Sequence, residues 1–397
     1  MFNEEQLGSV HSNLWIVSPH PKNGETMPMS MQNSAWLMSY LYKQGLSVNE
    51  IRFDYLVNDV PPRGGADTFW ASGQMQEGTK QLLSRIEQHK PNLVFCLGAG
   101  TLRALFNQRD VLKWRGHIME LECGVKALVT FDPVDAHRQR FVSNEQKPGQ
   151  YSVLMRQDVR KAIKEQAYPE TRFDDMPTHI CTAYGDTVNI LNTMLETSKY
   201  ISFDIEVIEP YDGRLMDCIS LGDENGNNIC IPFWRSKGSA KDKTTWGIDR
   251  FWTNECEFVH VFSLVKEILE SNAPKVAQNS QYDITSLEYY YDIAVNNLVW
   301  DTMVAAHCLF CDLPKDLGSL ISNYTNIPYH KFLIHTGNVI DRWDYSAADS
   351  GANLHVMSGQ LKEMCFLDNL QGSCQGGLKK CLMCTKVHHS KLYKHYK

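Results

Sequence analysis

The sequence predicts an α/β protein built as two successive layered domains, and three observations predict it. Apolar runs of strand length alternate with segments of helical periodicity through the first half of the chain. The same alternation resumes beyond a break at Tyr168–Pro177, which holds two prolines and three acidic residues and lacks apolar periodicity. A chain of 397 residues with 43% hydrophobic content has the length and core material for two or three domains. The formal net charge of −7 excludes a histone-like polybasic binder but leaves room for a local nucleic-acid groove.

Leu14–Val17 is the first apolar run, and the loop Ser18–Gly24 follows it. Trp36, Leu37, Tyr40 and Leu41 fall at helical spacing until Gly45 stops the helix. Leu82, Leu83 and Ile86 mark a second helix that ends before Pro91. Leu93–Leu97 reads as a buried strand, Gly98-Ala99-Gly100 opens a helix, and Lys126–Phe131 is a further strand. Strands spaced by helices in this way imply a parallel sheet. Beyond the break, Val188, Leu191 and Leu195 mark a helix leading into Ile201–Val207. Cys218–Leu221 and Ile229–Phe233 flank Gly222–Asn227, a hairpin signal because Asn-Gly tolerates positive φ.

Ile201, Phe203, Ile205 and Val207 alternate with Ser202, Asp204 and Glu206, so a strand here has one apolar face and one face bearing two carboxylates. Burying such neighbours is costly unless a cation offsets their charge, and hard oxygen ligands suit Mg²⁺ or Mn²⁺. A half-exposed polar face is the simpler reading of that triplet alone. Val276–Asn279 ends a second strand, and Asp283 lies in the first turn of the helix after it, where the macrodipole favours an anion. Asp344 is placed to cap a helix in which Tyr345 and Asp349, four apart, share a face beside Ala348 and Ala352.

Four carboxylates and a tyrosine are the inventory that two-metal phosphoryl transfer requires. Asp204-x-Glu206, Asn279-x-x-x-Asp283 and Tyr345-x-x-x-Asp349 resemble the three motifs of the DnaQ-like 3′-5′ exonucleases, in the variety with tyrosine in the third motif. Gln278–Asp283, Trp300–His307 and Leu313–Leu317 extend the likeness to the proofreading domain of family A DNA polymerases of phage type, over about residues 181–360. The resemblance implies a ribonuclease H-like mixed sheet. It implies two Mg²⁺ or Mn²⁺ ions held by Asp204, Glu206, Asp283 and Asp349, with Tyr345 orienting the water. It also implies Asn279 on the substrate strand, a single-stranded DNA 3′ end as substrate, and a DNA polymerase as partner. The rivals are an exoribonuclease of the same fold and a non-catalytic nucleic-acid-binding accessory protein.

Residues 10–160 resemble the uracil-DNA glycosylase superfamily, through Leu14–Gly24, Tyr55–Pro62, Pro91–Gly98 and Thr130–Pro133. The loop after the first strand lacks the usual water-activating acid, with Glu25 just beyond it, and Asp132 stands where a His-Pro pair is expected. A non-catalytic domain is therefore expected. Cys96 and Cys123 are too few for an iron–sulfur cluster.

These readings divide the chain into residues 1–167, a linker at 168–180, an exonuclease domain at 181–367 and a basic tail at 368–397. Cys381-x-x-Cys384 with His388 and His389 is a weak zinc signal, and a poorly ordered tail is expected instead. Cys308-x-x-Cys311 is expected to pack within an apolar helix. The first residues lack a signal-peptide pattern, no apolar run approaches the roughly 18 residues of a membrane span, and scattered cysteines predict a reduced, intracellular, soluble protein. Thumb and palm regions of a polymerase are not recognisable after the exonuclease motifs.

Overall fold

A computed structural model describes residues 2–60, 73–142, 149–208, 215–237 and 247–370. The Cys381–His389 region of the basic tail lies outside them. The chain divides into two compact units, Met1–Phe173 and Asp174–Lys397, and residues 166–178 form no helix or strand.

In the first unit five strands form one sheet: β1 (Leu14–Ser18), β2 (Ile51–Tyr55), β3 (Leu93–Leu97), β4 (Ile118–Glu120) and β5 (Lys126–Thr130), in the order β2-β1-β3-β5-β4. All neighbours pair in parallel except β4, which runs antiparallel to β5. Every residue of β1, β2, β3 and β5 is buried, as a sheet covered on both faces demands. The unit's longer helices are α1 (Gln32–Lys43), α2 (Gly73–His89), α3 (Gly98–Phe106), α4 (Pro133–Val142) and α5 (Gln150–Glu165). Leu82, Ile86 and Leu102 of α2 and α3 pack on Trp15, Val17, Val94 and Cys96, one alternating set of the sheet.

The second unit holds β6 (His179–Ile180), β7 (Ile201–Val207), β8 (Met216–Asp223), β9 (Asn228–Pro232), a separate hairpin of β10 (Trp234–Lys237) and β11 (Gly247–Arg250), then β12 (Lys275–Ala277) and β13 (Leu298–Asp301). The main sheet runs β13-β12-β7-β8-β9-β6, with β8 antiparallel to both neighbours and the outer pairs parallel. Around it lie α6 (Tyr184–Thr197), α7 (Glu255–Glu270), α8 (Ser280–Tyr291), α9 (Thr302–Leu309), α10 (Leu317–Tyr324) and the 32-residue α11 (Val339–Leu370). Phe203 and Ile205 enter a core with Leu191, Met194, Val265 and Ile268, which places α6 and α7 on the apolar face of β7.

The other face of β7 is not left to solvent. Helix α11 lies across β7, β8 and β9, and Ser202 Oγ donates to the Ser350 carbonyl at 2.6 Å. Two glycines permit that approach. A Cβ on Gly222 would stand 2.6 Å from Ser202 Oγ and 3.2 Å from the Gly351 nitrogen, and one on Gly351 would stand 2.4 Å from Asn228 Oδ1. Gly222, expected in the hairpin turn, is thus the penultimate residue of β8, and the turn proper is Glu224–Asn227. Asp223 Oδ1 accepts from the Asn225 and Asn227 amides at 3.0 Å, closing it.

Two further expectations are corrected. Asp344 does not cap a helix, because α11 begins five residues earlier, where Asn338 Oδ1 accepts from the Ile340 amide at 3.0 Å. Cys308 and Cys311 are both exposed: α9 buries Thr302, Ala305 and Ala306, which leaves Cys308 off the packed face and Cys311 beyond the helix end. Among the described residues no helix is long and apolar enough to cross a membrane.

Candidate active site

The acids of β7 point toward α11. Asp204 and Glu206 keep a part-exposed edge, whereas Asp283 and Asp349 are buried. Asp283 sits in the first turn of α8, and its Oδ1 accepts from the Ile205 amide at 3.1 Å, tying that helix start to the acid-bearing strand. Asp349 comes from α11, one turn after the nearly buried Tyr345. Residues that are 145 positions apart at the extremes (349 − 204) thus act electrostatically on one another.

Burial pushes the Asp204 carboxyl well above the ordinary carboxylate range, and the charges of Asp283, Glu206 and Asp349 add to it. Burial, with Asp349 next, lifts Glu206 to about 7, although nearby Arg342 pulls it down. Burial also lifts Asp283 to about 7, although its bond from the Ile205 amide opposes this. Burial first, then Asp349, Asp204 and Glu206, keep the Tyr345 phenol protonated far past its usual value. Three carboxyls lifted together, Asp204, Glu206 and Asp283, mark a site short of positive charge.

The α8 start is built by Asp301, whose motif was legible but whose work was not. Its carboxylate accepts from the Asn279 amide at 3.2 Å and from the Ser280 amide and hydroxyl at 2.8 and 2.9 Å. It also caps α9 through the Met303 and Val304 amides. Asn279 takes a left-handed conformation, φ 54°, and its exposed side chain makes no capping bond. Gln278, by contrast, donates to the Lys315 carbonyl at 2.8 Å and contacts the Thr302 hydroxyl.

Two cations near the acids escaped sequence reasoning. Arg342 pairs with buried Asp217 of β8, which also accepts from Trp343 Nε1 at 3.2 Å. His330, from the connector between α10 and α11, places Nε2 at 2.8 Å from Asp349 Oδ1 and its ring 5.7 Å from that of Tyr345. Burial alone would lower the His330 imidazole, but the Asp349 carboxylate outweighs it and holds it above the usual value. His330 lies outside the helix that carries Asp349 and has no periodic relation to the acids, whereas Arg342 stands three residues before Tyr345 and seven before Asp349 on α11, a helical spacing that could have flagged it.

The donor set fits a divalent cation, because carboxylate oxygens are its preferred ligands and their repulsion is the cost its charge would remove. As they stand, no three His, Cys, Asp or Glu side chains among the described residues are gathered closely enough to hold one ion.

The first unit carries a separate polar group at the carboxyl ends of its strands. Lys22 Nζ lies 2.6 Å from Asp132 Oδ2, so the charge of Asp132 is compensated within its own unit. Glu25 Oε2 accepts from the Lys22 amide at 2.9 Å, and burial raises its carboxyl. Phe131 stacks on Tyr151 at 4.1 Å, so its ring face is filled by a residue of the same chain.

A mixed sheet of this order, with a long helix laid over the acid-bearing strand, is the ribonuclease H-like architecture of exonucleases. Residues 182–350 match the 3′-5′ exonuclease family model of the DNA polymerase A type, so the second unit carries a 3′-5′ exonuclease domain, a nuclease family that generally uses divalent metal ions. No curated protein matches the chain. Among solved structures it is similar to Trypanosoma brucei RNase D in complex with RNA U12, at 12% identity over 47% of this chain and 63% of that one, TM-score 0.34. It is also similar to Escherichia coli RNase D, at 16% identity over 52% and 49%, TM-score 0.35. The polymerase domain of Pol1 from M. smegmatis, bound to DNA primer-template and dNTP, is similar at 12% identity over 51% and 30%, TM-score 0.32. The chain thus spans less than two thirds of the length of each of these structures.

Proposed function

We propose that the second unit removes nucleotides from the 3′ end of single-stranded DNA by metal-dependent phosphodiester hydrolysis. One observation carries this reading: Asp204, Glu206, Asp283 and Asp349, from three separate segments, interact as one cluster with Tyr345 beside them. The four carboxylates would hold two divalent ions, Mg²⁺ or Mn²⁺. Bound there, the ions would polarise the scissile phosphate and lower the pKa of a water.

The remaining work falls to side chains of this chain. Tyr345, kept protonated and held beside Asp349, orients the attacking water through its hydroxyl oxygen. Asn279, exposed at the α8 start, holds the substrate strand, and Asp301 fixes its backbone. Tyr282 and Phe332, 45% and 51% exposed, offer ring faces on which bases stack without sequence preference. The expected partner is a DNA polymerase whose product strands would be trimmed at their 3′ ends. The test is Mg²⁺-dependent degradation of matched single-stranded DNA and RNA, each with a free or blocked 3′ end. Release of mononucleotides from free-ended DNA in Mg²⁺ but not EDTA is expected. Activity in EDTA, or on RNA alone, would replace this reading with another.

The first unit positions DNA without excising uracil. Its glycosylase-like reading rests on sequence resemblance, and Phe131, the aromatic ring at the strand end, is stacked on Tyr151 and not open to a flipped base. Nuclease-dead Asp204→Ala protein should leave uracil-containing single-stranded DNA free of alkali-labile sites. Sites that appear and vanish on Glu25→Gln would make this unit a working glycosylase.

A further inference from the structure

Asp349 is the acid farthest along the chain and comes from a helix, α11, that no other proposed ligand shares. A carboxylate has two oxygens and about four acceptor sites, and its torsion is soft. Something must hold it if it is to serve a shared site. Tyr345, one turn earlier on the same helix, reaches it from one side. The second restraint comes from outside the helix: His330 Nε2 stands 2.8 Å from Asp349 Oδ1.

His330 is itself held. Its Nδ1 lies 3.2 Å from the Pro328 carbonyl, and its side chain is only 13% exposed. The connector that carries it is anchored at its base, where the Asn326 amide donates to Asp174 Oδ2 at 2.7 Å and Ile327 is buried. Ring and carboxylate therefore meet as two restrained groups, unlike a surface pair that must be ordered on contact.

We propose that His330 is a positioning residue, which by its hydrogen bond to Oδ1 fixes the Asp349 carboxylate so that its remaining lone pairs serve the divalent ion. This rests on the exonuclease reading of the same acids. Partners that orient ligating carboxylates typically change metal affinity or activity by 10- to 100-fold when lost. His330 has no such role in any of the three motifs, and the acids' spacing does not point to it.

Calorimetric titration of the full chain with Mn²⁺ tests this without turnover. His330→Ala should raise the dissociation constant by about tenfold or more and lower kcat on single-stranded DNA with KM little changed. His330→Gln, which keeps an N–H able to reach Asp349, should recover most of the affinity. Thermal unfolding in EDTA reports any structural loss separately. If wild type binds Mn²⁺ and His330→Ala binds it equally well, the positioning role is overturned while the exonuclease reading stands. If His330→Ala loses affinity and His330→Gln does not restore it, the contact is packing and the role is again overturned. If wild type binds no Mn²⁺ whereas Asp349→Asn behaves identically, the exonuclease reading itself fails, and this inference with it.

Discussion

The two units bury charge in opposite ways. In the first, acids are buried against cations: Asp158 receives a forked contact from Arg115 and the Thr130 hydroxyl at 2.6 Å, and Asp54 takes Arg85 at 2.8 Å. Lys126, fully buried, donates to the Glu165 and Tyr168 carbonyls at 2.9 and 2.7 Å. In the second, Asp204, Glu206, Asp283 and Asp349 are buried chiefly against one another, with Arg342 and His330 at the edge. A paired buried charge is complete and serves the fold. A cluster of like charges is incomplete, and its stability is conceded to whatever supplies the missing charge.

The largest effect expected from that contrast is structural and confined to the first unit. Arg115→Ala leaves Asp158 buried without its cation and should cost about 3–5 kcal/mol, read by urea unfolding. Metal-dependent nuclease turnover should persist where the protein is folded. A variant as stable as wild type would show that the pair is not what holds Asp158.

Next comes Asp204→Ala. Losing one metal ligand should slow digestion by at least about a hundredfold, some 2.7 kcal/mol of barrier. Because the residue removed is a like charge among its neighbours, the metal-free variant should melt no lower than wild type. A large drop in melting temperature in EDTA would place Asp204 among the fold-bearing acids instead.

A pH series sharpens the same point. Glu206 and Asp283, with unfolded values near 4.5 and 3.8, are each lifted to about 7 in the fold. Between those values the folded state binds more protons than the unfolded one, so stability falls as pH rises. Metal-free protein should therefore lose stability from about pH 4.5 to 7, and Mg²⁺ should offset the loss at the upper end. Glu206→Gln should flatten the slope. A metal-free protein whose stability rises over that window would contradict the like-charge account.

The smallest effect is expected at Tyr345. Tyr345→Phe removes one hydroxyl and should lower single-turnover rate about tenfold or more, at 1.4 kcal/mol per tenfold, with Mn²⁺ and DNA affinities nearly unchanged. Loss of DNA affinity at an unchanged rate would move Tyr345 to substrate binding.

What the sequence determined by itself was local. Short continuous apolar runs marked β1, β3 and β5, alternation marked β7, and the turn residues Asn225-Gly226 marked the β8–β9 hairpin, because apolar runs, side-chain alternation and positive φ are properties of a few adjacent residues. The acids of the candidate site were legible for the same reason: each motif is short, and the pairs Asp204/Glu206 and Tyr345/Asp349 share a face by local geometry. The tertiary structure decided the rest. Asp344 was misread as a cap because α11 starts at Val339, where Asn338 rather than Asp344 accepts from the Ile340 amide and the helix then runs on across the sheet. Gly222 passed for a turn residue because nothing local shows that Ser202 and Ser350 close over it. Asp217 and His330 carry no local signature, and although Asp301 and Arg342 stand at legible positions, their bonds to Asn279, Ser280 and Asp217 come only from the fold. Spacing along a chain records which residues share a face, but which charge meets which is settled only when separate faces are pressed together.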